Sequence, residues 1–236
     1  MVALNEHVSK KFDAELENLR SRVMQMGGLV EDQIRLALDA LVNGDFDLCT
    51  VVENNDHRVN GMEVALDEDC STIIARRQPA ASDLRMIMTV VKTITDLERI
   101  GDEAAKIARM AKLVHASDRL LHPKFGEIRR MGIIATEMLR KALDAFARLD
   151  LSASGEVVRQ DQLVDEEFRS VIRQLITFMM EDPRTISASI EILFIAKAIE
   201  RIGDHAKNIS EYVIYMVKGK DVRHVSVEEI EREIMT

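Results

Sequence analysis

A pentapeptide that occurs twice constrains this chain more than any other feature: Glu98-Arg99-Ile100-Gly101-Asp102 returns as Glu200-Arg201-Ile202-Gly203-Asp204. The two copies lie 102 positions apart, 200 minus 98, in a chain of 236 residues. At the same offset Leu84 meets Ile186, Val91 meets Leu193, Leu97 meets Ile199, Ala104 meets Ala206 and Ile107 meets Ile209. Upstream, Asp56-His-Arg-Val59-Asn60 lies on Asp161-Gln-Leu-Val164-Asp165 at an offset of 105, which loops of different length accommodate. A chain with these echoes is built twice from one unit.

The unit is helical. Three prolines and ten glycines in the whole chain are too little punctuation for many short strands. Phe12, Leu16, Leu19, Val23, Met26, Val30, Ile34, Leu38 and Leu41 recur at threes and fours, which predicts a helix over 6–43, with Gly27-Gly28 as a place to bend it. Asp45 is placed to cap a second helix over 46–77, which stops at Gln78-Pro79 because the residue before proline avoids the helical region. A third helix over 82–116 carries the first pentapeptide. The segment 117–126, with Pro123, is the most loop-like and marks a boundary between halves, at 1–118 and 119–236. Helices over 127–149, 156–180 and 187–218 follow, with Asp150 to Gly155 read as a break and a short last helix at 227–234. The expected fold is all-α: two tandem three-helix bundles related by internal duplication.

Each pentapeptide sets two carboxylates at i and i+4, on one face of a helix. Ile94 and Val91 lie four and seven residues before Glu98, as Ala196 and Leu193 lie before Glu200, so both acid pairs extend an apolar stripe that should face a core. Like charges there repel, and partial burial sharpens the repulsion. Asp161 and Asp165 form a third such pair, while Asp56 and Asn60 repeat it with one charge removed. Oxygen donors converging from the second and third helices of each bundle suit iron, manganese or magnesium; zinc more often recruits His or Cys. Arginine offers the other reading: Arg99 with Asp102, and Arg201 with Asp204, have the i,i+3 spacing of surface ion pairs, and an Arg of a neighbouring helix can meet a core-facing Glu. Gly101 and Gly203 each cost a helix about 1 kcal/mol against Ala, which points to close approach by a partner helix or, second, to a ligand.

Other groups say less. His205 has no counterpart in the first copy, where Glu103 stands, and His7, His57, His115, His122 and His224 show no ligand spacing and are expected at the surface. Met24, Met26, Met86, Met88, Met179 and Met180 are expected as core fillers. No Ser/His/Asp or Cys/His spacing signals a covalent nucleophile, no glycine-rich phosphate loop is present, and no organic cofactor is implied. A net charge of -9 argues against a nucleic-acid binder. The most apolar stretch, from Ile190 to Ile202, is interrupted by Glu191, Lys197, Glu200 and Arg201 and is not expected to insert in a membrane. No basic-then-apolar leader opens the sequence, and Cys49 and Cys70 are expected as reduced thiols of a cytoplasmic protein.

The duplicated motif, together with Phe12-Asp-Ala-Glu-Leu16, Met26-Gly-Gly-Leu-Val-Glu31, Arg76-Arg-Gln-Pro-Ala-Ala-Ser-Asp-Leu-Arg85 and Met179-Met-Glu-Asp-Pro-Arg184, resembles the PhoU family over nearly the whole chain. The resemblance implies a non-enzymatic cytoplasmic regulator, peripheral to a membrane complex. By that resemblance it is expected to link the ATPase subunit of the phosphate ABC transporter (PstB-like) to the phosphate-sensing histidine kinase (PhoR-like) and to keep phosphate-starvation genes off when phosphate is plentiful. Some members bind multinuclear metal clusters through Glu/Asp-x-x-x-Asp motifs. Here these map to Glu98/Asp102, Glu200/Asp204 and Asp161/Asp165, with Asp56/Asn60 as the fourth. Asn60 departs from a second acid, so the resemblance supports a cluster less strongly in the first half. Such bundles are expected to form a homodimer, although the sequence shows no self-complementary patch. The alternative is a metal-dependent phosphohydrolase using metal-bound water, against which stands the lack of a separate general acid or phosphate-clamping basic loop.

Overall fold

The computed structural model describes residues 10–116 and 125–235. Long helices account for nearly all of them: α1 (Lys10–Asn43), α2 (Phe46–Arg77), α3 (Ala81–Ala116), α4 (Gly126–Arg148), α5 (Leu151–Glu181), α6 (Ile186–Lys218) and the short α7 (Val227–Met235), with a 3-10 turn at Pro183–Thr185. The 1–118/119–236 boundary lies outside the described residues, as do His7 and His122.

The boundaries have local causes. Asp45 caps α2, its Oδ1 accepting from the backbone N–H groups of Asp47 and Leu48 at 3.0 Å each. α2 ends where Gln78 turns to the left-handed region (φ 47°) ahead of Pro79. The expected start of α5 needs correction. Asp150, 105 residues after Asp45, is not part of a break but a second N-cap, accepting from Ser152 and Ala153 N–H at 2.9 and 3.1 Å. Helix α5 therefore begins at Leu151, and Gly155 sits inside it, where an added Cβ would come within 2.8 Å of Ile234 on α7.

Helix α1 runs on through Gly27 and Gly28. They divide by face. A Cβ on Gly28 would meet nothing within 4 Å, whereas one on Gly27 would sit 2.6 Å from Leu143 on α4. The reciprocal contact exists: a Cβ on Gly132 would sit 2.6 Å from Leu38 on α1. Since 132 is 27 plus 105 and 143 is 38 plus 105, α1 and α4 meet through one contact made twice, with the roles exchanged, as in an isologous interface.

The centre of the molecule is the pair α3 and α6, which run antiparallel: Arg85 approaches Gly219, Asp96 meets His205 and Glu103 meets Arg201. One apolar cluster runs through both repeats, from Leu19, Ile34 and Leu66 through Ile87, Leu97 and Ile100 to Met138, Val164, Ile199 and Ile202. Truncating a fully buried member such as Ile100 to Ala would cost about 2–5 kcal/mol. A smaller cluster of Val158, Ile214, Val222 and Ile230 fastens α7 and the preceding loop to α5 and α6. Of the methionines expected in the core, Met26 and Met86 are buried and Met24 and Met179 partly so, but Met88 and Met180 are exposed. Both cysteines are buried and free, and burial pushes the Cys70 thiol up to about 12.

Candidate functional site

In the first repeat, Asp56 and Asn60 on α2 face the turn of α3 that carries Glu98, Gly101 and Asp102. Gly101 is what lets them approach. A Cβ there would meet Val59 of α2 at 3.4 Å and lie 3.6 Å from Asp56 Oδ1. It would also lie 3.4 Å from Oε1 of Gln33, a fully buried α1 side chain whose amide nitrogen donates to the Val52 carbonyl. The acids do not sit in the heart of the stripe, as the periodicity predicts. Glu98 is half-buried and Asp102 exposed, on the flank of α3. Burial raises the pKa of both, and neighbouring charge adds to it: Asp102, Glu63 and Asp56 for Glu98, and Asp56 for Asp102, with Arg99 and Arg109 opposing. Among the described residues no Lys or Arg forms an ion pair with Asp56, Glu98 or Asp102, and Asp56 Oδ1, Asn60 Oδ1 and Gln33 Oε1 are buried oxygens without a hydrogen-bond partner.

The second repeat has the same frame and a different charge balance. Gly203 packs on Val164, at 3.5 Å from a built Cβ, as Gly101 packs on Val59. Asp161 is buried, Asp165 and Glu200 half-buried and Asp204 exposed. Lys207 Nζ donates to Asp161 Oδ2 at 2.8 Å, Lys197 Nζ binds Glu200 while lying over the Phe168 ring, and Arg169 stands 4.0 Å from Asp165. Although Asp204 as a residue is exposed, shielding of its carboxyl from water, and then Glu200 and Asp161, push it up to about 6 against Lys197 and Lys207. One turn beyond Lys207, Glu211 is buried and its carboxyl is pushed up to about 7 by that burial.

The acids that do face the centre were not among the expected site residues. Asp96 and Glu103 lie on the α3 face that meets α6, both buried. Asp96 is held by His205 at 2.7 Å and Asn208 at 3.4 Å, with the Tyr212 hydroxyl on the same carboxylate. Glu103 is held by Arg201 at 2.7 Å and Lys106 at 3.3 Å. His205 is thus an interface partner of a buried carboxylate, with its Nδ1 carrying the proton that faces the acceptor. Arg201 pairs across the two repeats rather than with Asp204 at i,i+3, which realises the neighbouring-helix form of ion pairing. A sequence signal for this face existed in Thr89, Thr93, Asp96, Ile100 and Glu103, spaced by three and four along a buried stripe. His115, expected at the surface, is half-buried, its Nε2 donating to the Leu41 carbonyl at 2.7 Å.

Chemically, these carboxylates sit in two matching positions on a helical frame. Among the described residues no group of three or more His, Cys, Asp or Glu is gathered closely enough to hold a metal ion. The donor set of the first repeat, two amide oxygens and a carboxylate oxygen left unpartnered, fits a hard cation that takes oxygen ligands.

Fold and site together define a class: a duplicated all-α protein that presents acid pairs on paired three-helix bundles. The PhoU domain family model matches the chain twice, at residues 23–111 and 128–213. A phosphate-specific transport system accessory protein PhoU homolog from Pseudomonas aeruginosa is 46% identical over 233 residues, 98% of this chain and 96% of that one. The Escherichia coli phosphate-specific transport system accessory protein PhoU is 48% identical over 229 residues, 97% of this chain and 94% of that one. The crystal structure of PhoU from Pseudomonas aeruginosa superposes with a TM-score of 0.85 at 47% identity, covering 89% of this chain and all of that one. A PhoU structure from Streptococcus pneumoniae gives 0.82 at 29% identity, with 89% of this chain covered. The chain belongs to the PhoU family. Among the described residues no helix is long and apolar enough to cross a membrane.

Proposed function

We propose that this chain is an accessory protein of a phosphate-specific transport system that acts as a negative regulator of the phosphate-starvation response. It works in the cytoplasm, peripheral to the membrane complex, as an adaptor between the ATPase subunit of the phosphate ABC transporter and the phosphate-sensing histidine kinase. It holds that kinase in its phosphatase-favouring state when phosphate is plentiful, as a homodimer. The observation that carries this reading is near-full-length similarity to proteins described as phosphate-specific transport system accessory proteins. The structure is compatible with partner binding: its helix faces are long and of mixed charge.

Metal ions (iron, manganese, magnesium or zinc) held by the repeated acid pairs are part of the same proposal. Bound there, an ion would neutralise crowded carboxylates and stiffen the contact between the second and third helices of a repeat. Asp56, Asn60, Glu98 and Asp102 would hold it in the first repeat, and Asp161, Asp165, Glu200 and Asp204 in the second.

Deleting the gene tests the regulatory reading. A starvation-gene reporter should rise in high phosphate and fall again on complementation; a reporter that stays silent overturns it. Light scattering tests the dimer. Metal-dependent phosphate release by the purified protein would overturn the adaptor reading in favour of a phosphohydrolase.

A further inference from the structure

Helix α7 rests in a groove formed by α5, the C-terminal part of α6 and the segment that follows it. Ser226 and Glu229 start the helix as a capping box: Glu229 N–H donates to Ser226 Oγ, and Ser226 N–H to a Glu229 carboxylate oxygen, at 3.3 Å each. Val227, Ile230 and Ile234, spaced by three and four, form one apolar stripe. Ile230 is buried in one cluster with Val158 of α5, Ile214 of α6 and Val222, and Val227 and Ile234 pack around it. Gly155 leaves the room that the end of Ile234 takes. Helical spacing sets Glu231 and Glu233 on opposite edges of the stripe. Each meets a cation on the rim, Glu231 with Arg159 and Glu233 with Lys220, at 2.6 Å in both cases. The first repeat fills the equivalent place differently. At offsets of 105 and 102, Val158, Gly155 and Ile214 correspond to Glu53, Thr50 and Lys112. Those three bond to one another, Lys112 Nζ donating to Glu53 at 2.9 Å and to Thr50 Oγ1 at 3.4 Å. One repeat closes this position with its own polar side chains; the other leaves it apolar and lays a helix over it.

We infer that this groove of the second repeat is a docking site for an amphipathic helix of a partner protein, with apolar residues at the spacing of Val227, Ile230 and Ile234 and an acid on each edge, and that α7 covers it in cis until displaced. The groove itself defines the occupant. Val158 and Ile214 offer an apolar floor that a helix stripe fits, and Arg159 and Lys220 give the rim a positive charge that selects acidic edges. Helix α7 is built to leave. At nine residues it is too short to hold as an isolated helix in water, even with its capping box. Its rim pairs involve exposed cations, Arg159 at 51% and Lys220 at 64% exposure, and such pairs hold weakly. The main apolar cluster runs through both repeats without any residue of α7, so the bundle does not need it to cohere. The tether nevertheless keeps α7 at a high effective concentration over the groove, and a competing helix gains entry by burying a longer stripe than three side chains. The inference stands apart from the metal and regulatory readings, and its failure would leave both as they are.

The test is binding of a fluorescein-labelled synthetic peptide to the full-length protein, read by fluorescence anisotropy. The peptide spans about four helical turns, repeats the Val, Ile and Ile spacing of α7, carries Glu on both edges and differs from α7 elsewhere. Ile230→Glu puts a charge into the apolar seat and frees α7. It should raise the peptide's affinity about tenfold or more over the unaltered protein, because the tethered competitor is gone. Adding Val158→Glu with Ile214→Lys, which installs the pair of the first repeat, should abolish that binding. A peptide with Lys on both edges should bind several-fold more weakly. In the unaltered protein, hydrogen exchange at 227–235 should be far faster than in the buried turns of α6 at 195–206. Should Ile230→Glu fail to fold, Glu231→Arg with Glu233→Arg loosens α7 from its edges alone and should give the same rise. Equal affinity in the unaltered and α7-released proteins overturns the cover. Binding that survives the Val158 and Ile214 exchange overturns the groove, and binding indifferent to edge charge overturns the acidic partner. Exchange at 227–235 as slow as in α6 makes α7 a fixed part of the bundle and overturns the whole inference. If light scattering shows a dimer that Ile230→Glu converts to a monomer, α7 of a second copy is the occupant and the separate partner falls.

Discussion

Both repeats place α-helices of the same order around the same acid spacing, but one pairs its carboxylates with lysines, whereas among the described residues Asp56, Glu98 and Asp102 of the other form no ion pair and Arg99 and Arg109 oppose their crowding without one. Their packing differs far less. Gly27 on Leu143 and Gly132 on Leu38 are mirror contacts, and Val59 and Val164 seat Gly101 and Gly203 in the same way. The contrast teaches which positions a duplicated bundle is free to change. A residue that fills a fixed space is held by the cost of overpacking or of a cavity, typically about 1–5 kcal/mol. A charge on the flank of a helix is held only by its partners, and can be exchanged for another charge, a polar group or an ion.

The largest expected effect lies where the repeats meet. Asp96 has almost no exposure, and its main partner is His205, which has no equivalent in the first pentapeptide because Glu103 occupies that place. His205→Ala leaves a buried carboxylate with only Asn208 and Tyr212, and should cost about 3 kcal/mol at pH 7. At about 2–4 °C per kcal/mol for a chain of this size, the melting temperature should fall by roughly 6–12 °C. Arg99→Ala, the exposed position equivalent to Arg201, should move it by less than about 2 °C. Equal losses would show that the α3–α6 network does not join the repeats through these pairs.

Glu211 gives the next effect, and its sign depends on pH. Burial raises its carboxyl to about 7, so the folded protein keeps a proton that the unfolded chain releases near pH 4.5. Stability from this group is undiminished below the unfolded value, falls as the pH rises from there through about 7, and is fully reduced above it. Glu211→Gln should therefore stabilise by about 2 kcal/mol at pH 8 and by nothing at pH 4.5. Thermal melts at the two pH values decide it; a gain of the same size at both would rule out burial of the charge as the cause. The first repeat has Arg109 at the equivalent place, 211 minus 102, and should show no such dependence from that position.

Most of the fold was legible in the sequence, because helix periodicity and duplication reinforce one another: each helix was read twice. What escaped was decided by tertiary contact. The expectation put Glu98 and Glu200 in the core by counting back to Ile94 and Ala196, but Asp96 and Glu103 are the acids on the buried face, because α3 carries two apolar stripes, one for its own bundle and one for α6. Counting along one stripe could not show which face the longer helix partner takes. The acid pairs themselves were legible, but their inequality was not. Lys207 and Lys197 look like ordinary surface lysines until α5 brings Asp161 within 2.8 Å of the former. Gln33 looks like one polar residue in an apolar run until Gly101 admits it beside Asp56.

A smaller effect should separate the repeats by sign. Without added metal, Asp161→Asn removes the acceptor of a half-buried ammonium and should cost about 1 kcal/mol. Asp56→Asn removes one of several unneutralised acids around Glu98 and Asp102, and should be neutral or stabilising by up to about 0.5 kcal/mol. Melting both variants in chelator is the measurement, and a shift in the same direction for the two would erase the asymmetry.

The smallest difference between the repeats should be at the helix caps, where no difference is expected at all. Asp45 and Asp150 are related by 105 residues, and each accepts two backbone N–H bonds, at 3.0 and 3.0 Å in one case and 2.9 and 3.1 Å in the other. Each also places a negative charge at the positive end of a long helix. Replacing either by Ala should cost about 1 kcal/mol, and replacing either by Ser much less. Because the two caps match in hydrogen-bond geometry, the losses should agree within about 0.3–0.5 kcal/mol and add in the double variant, the two caps sharing no partner. Unequal losses would mean that α2 and α5 do not contribute alike to their bundles.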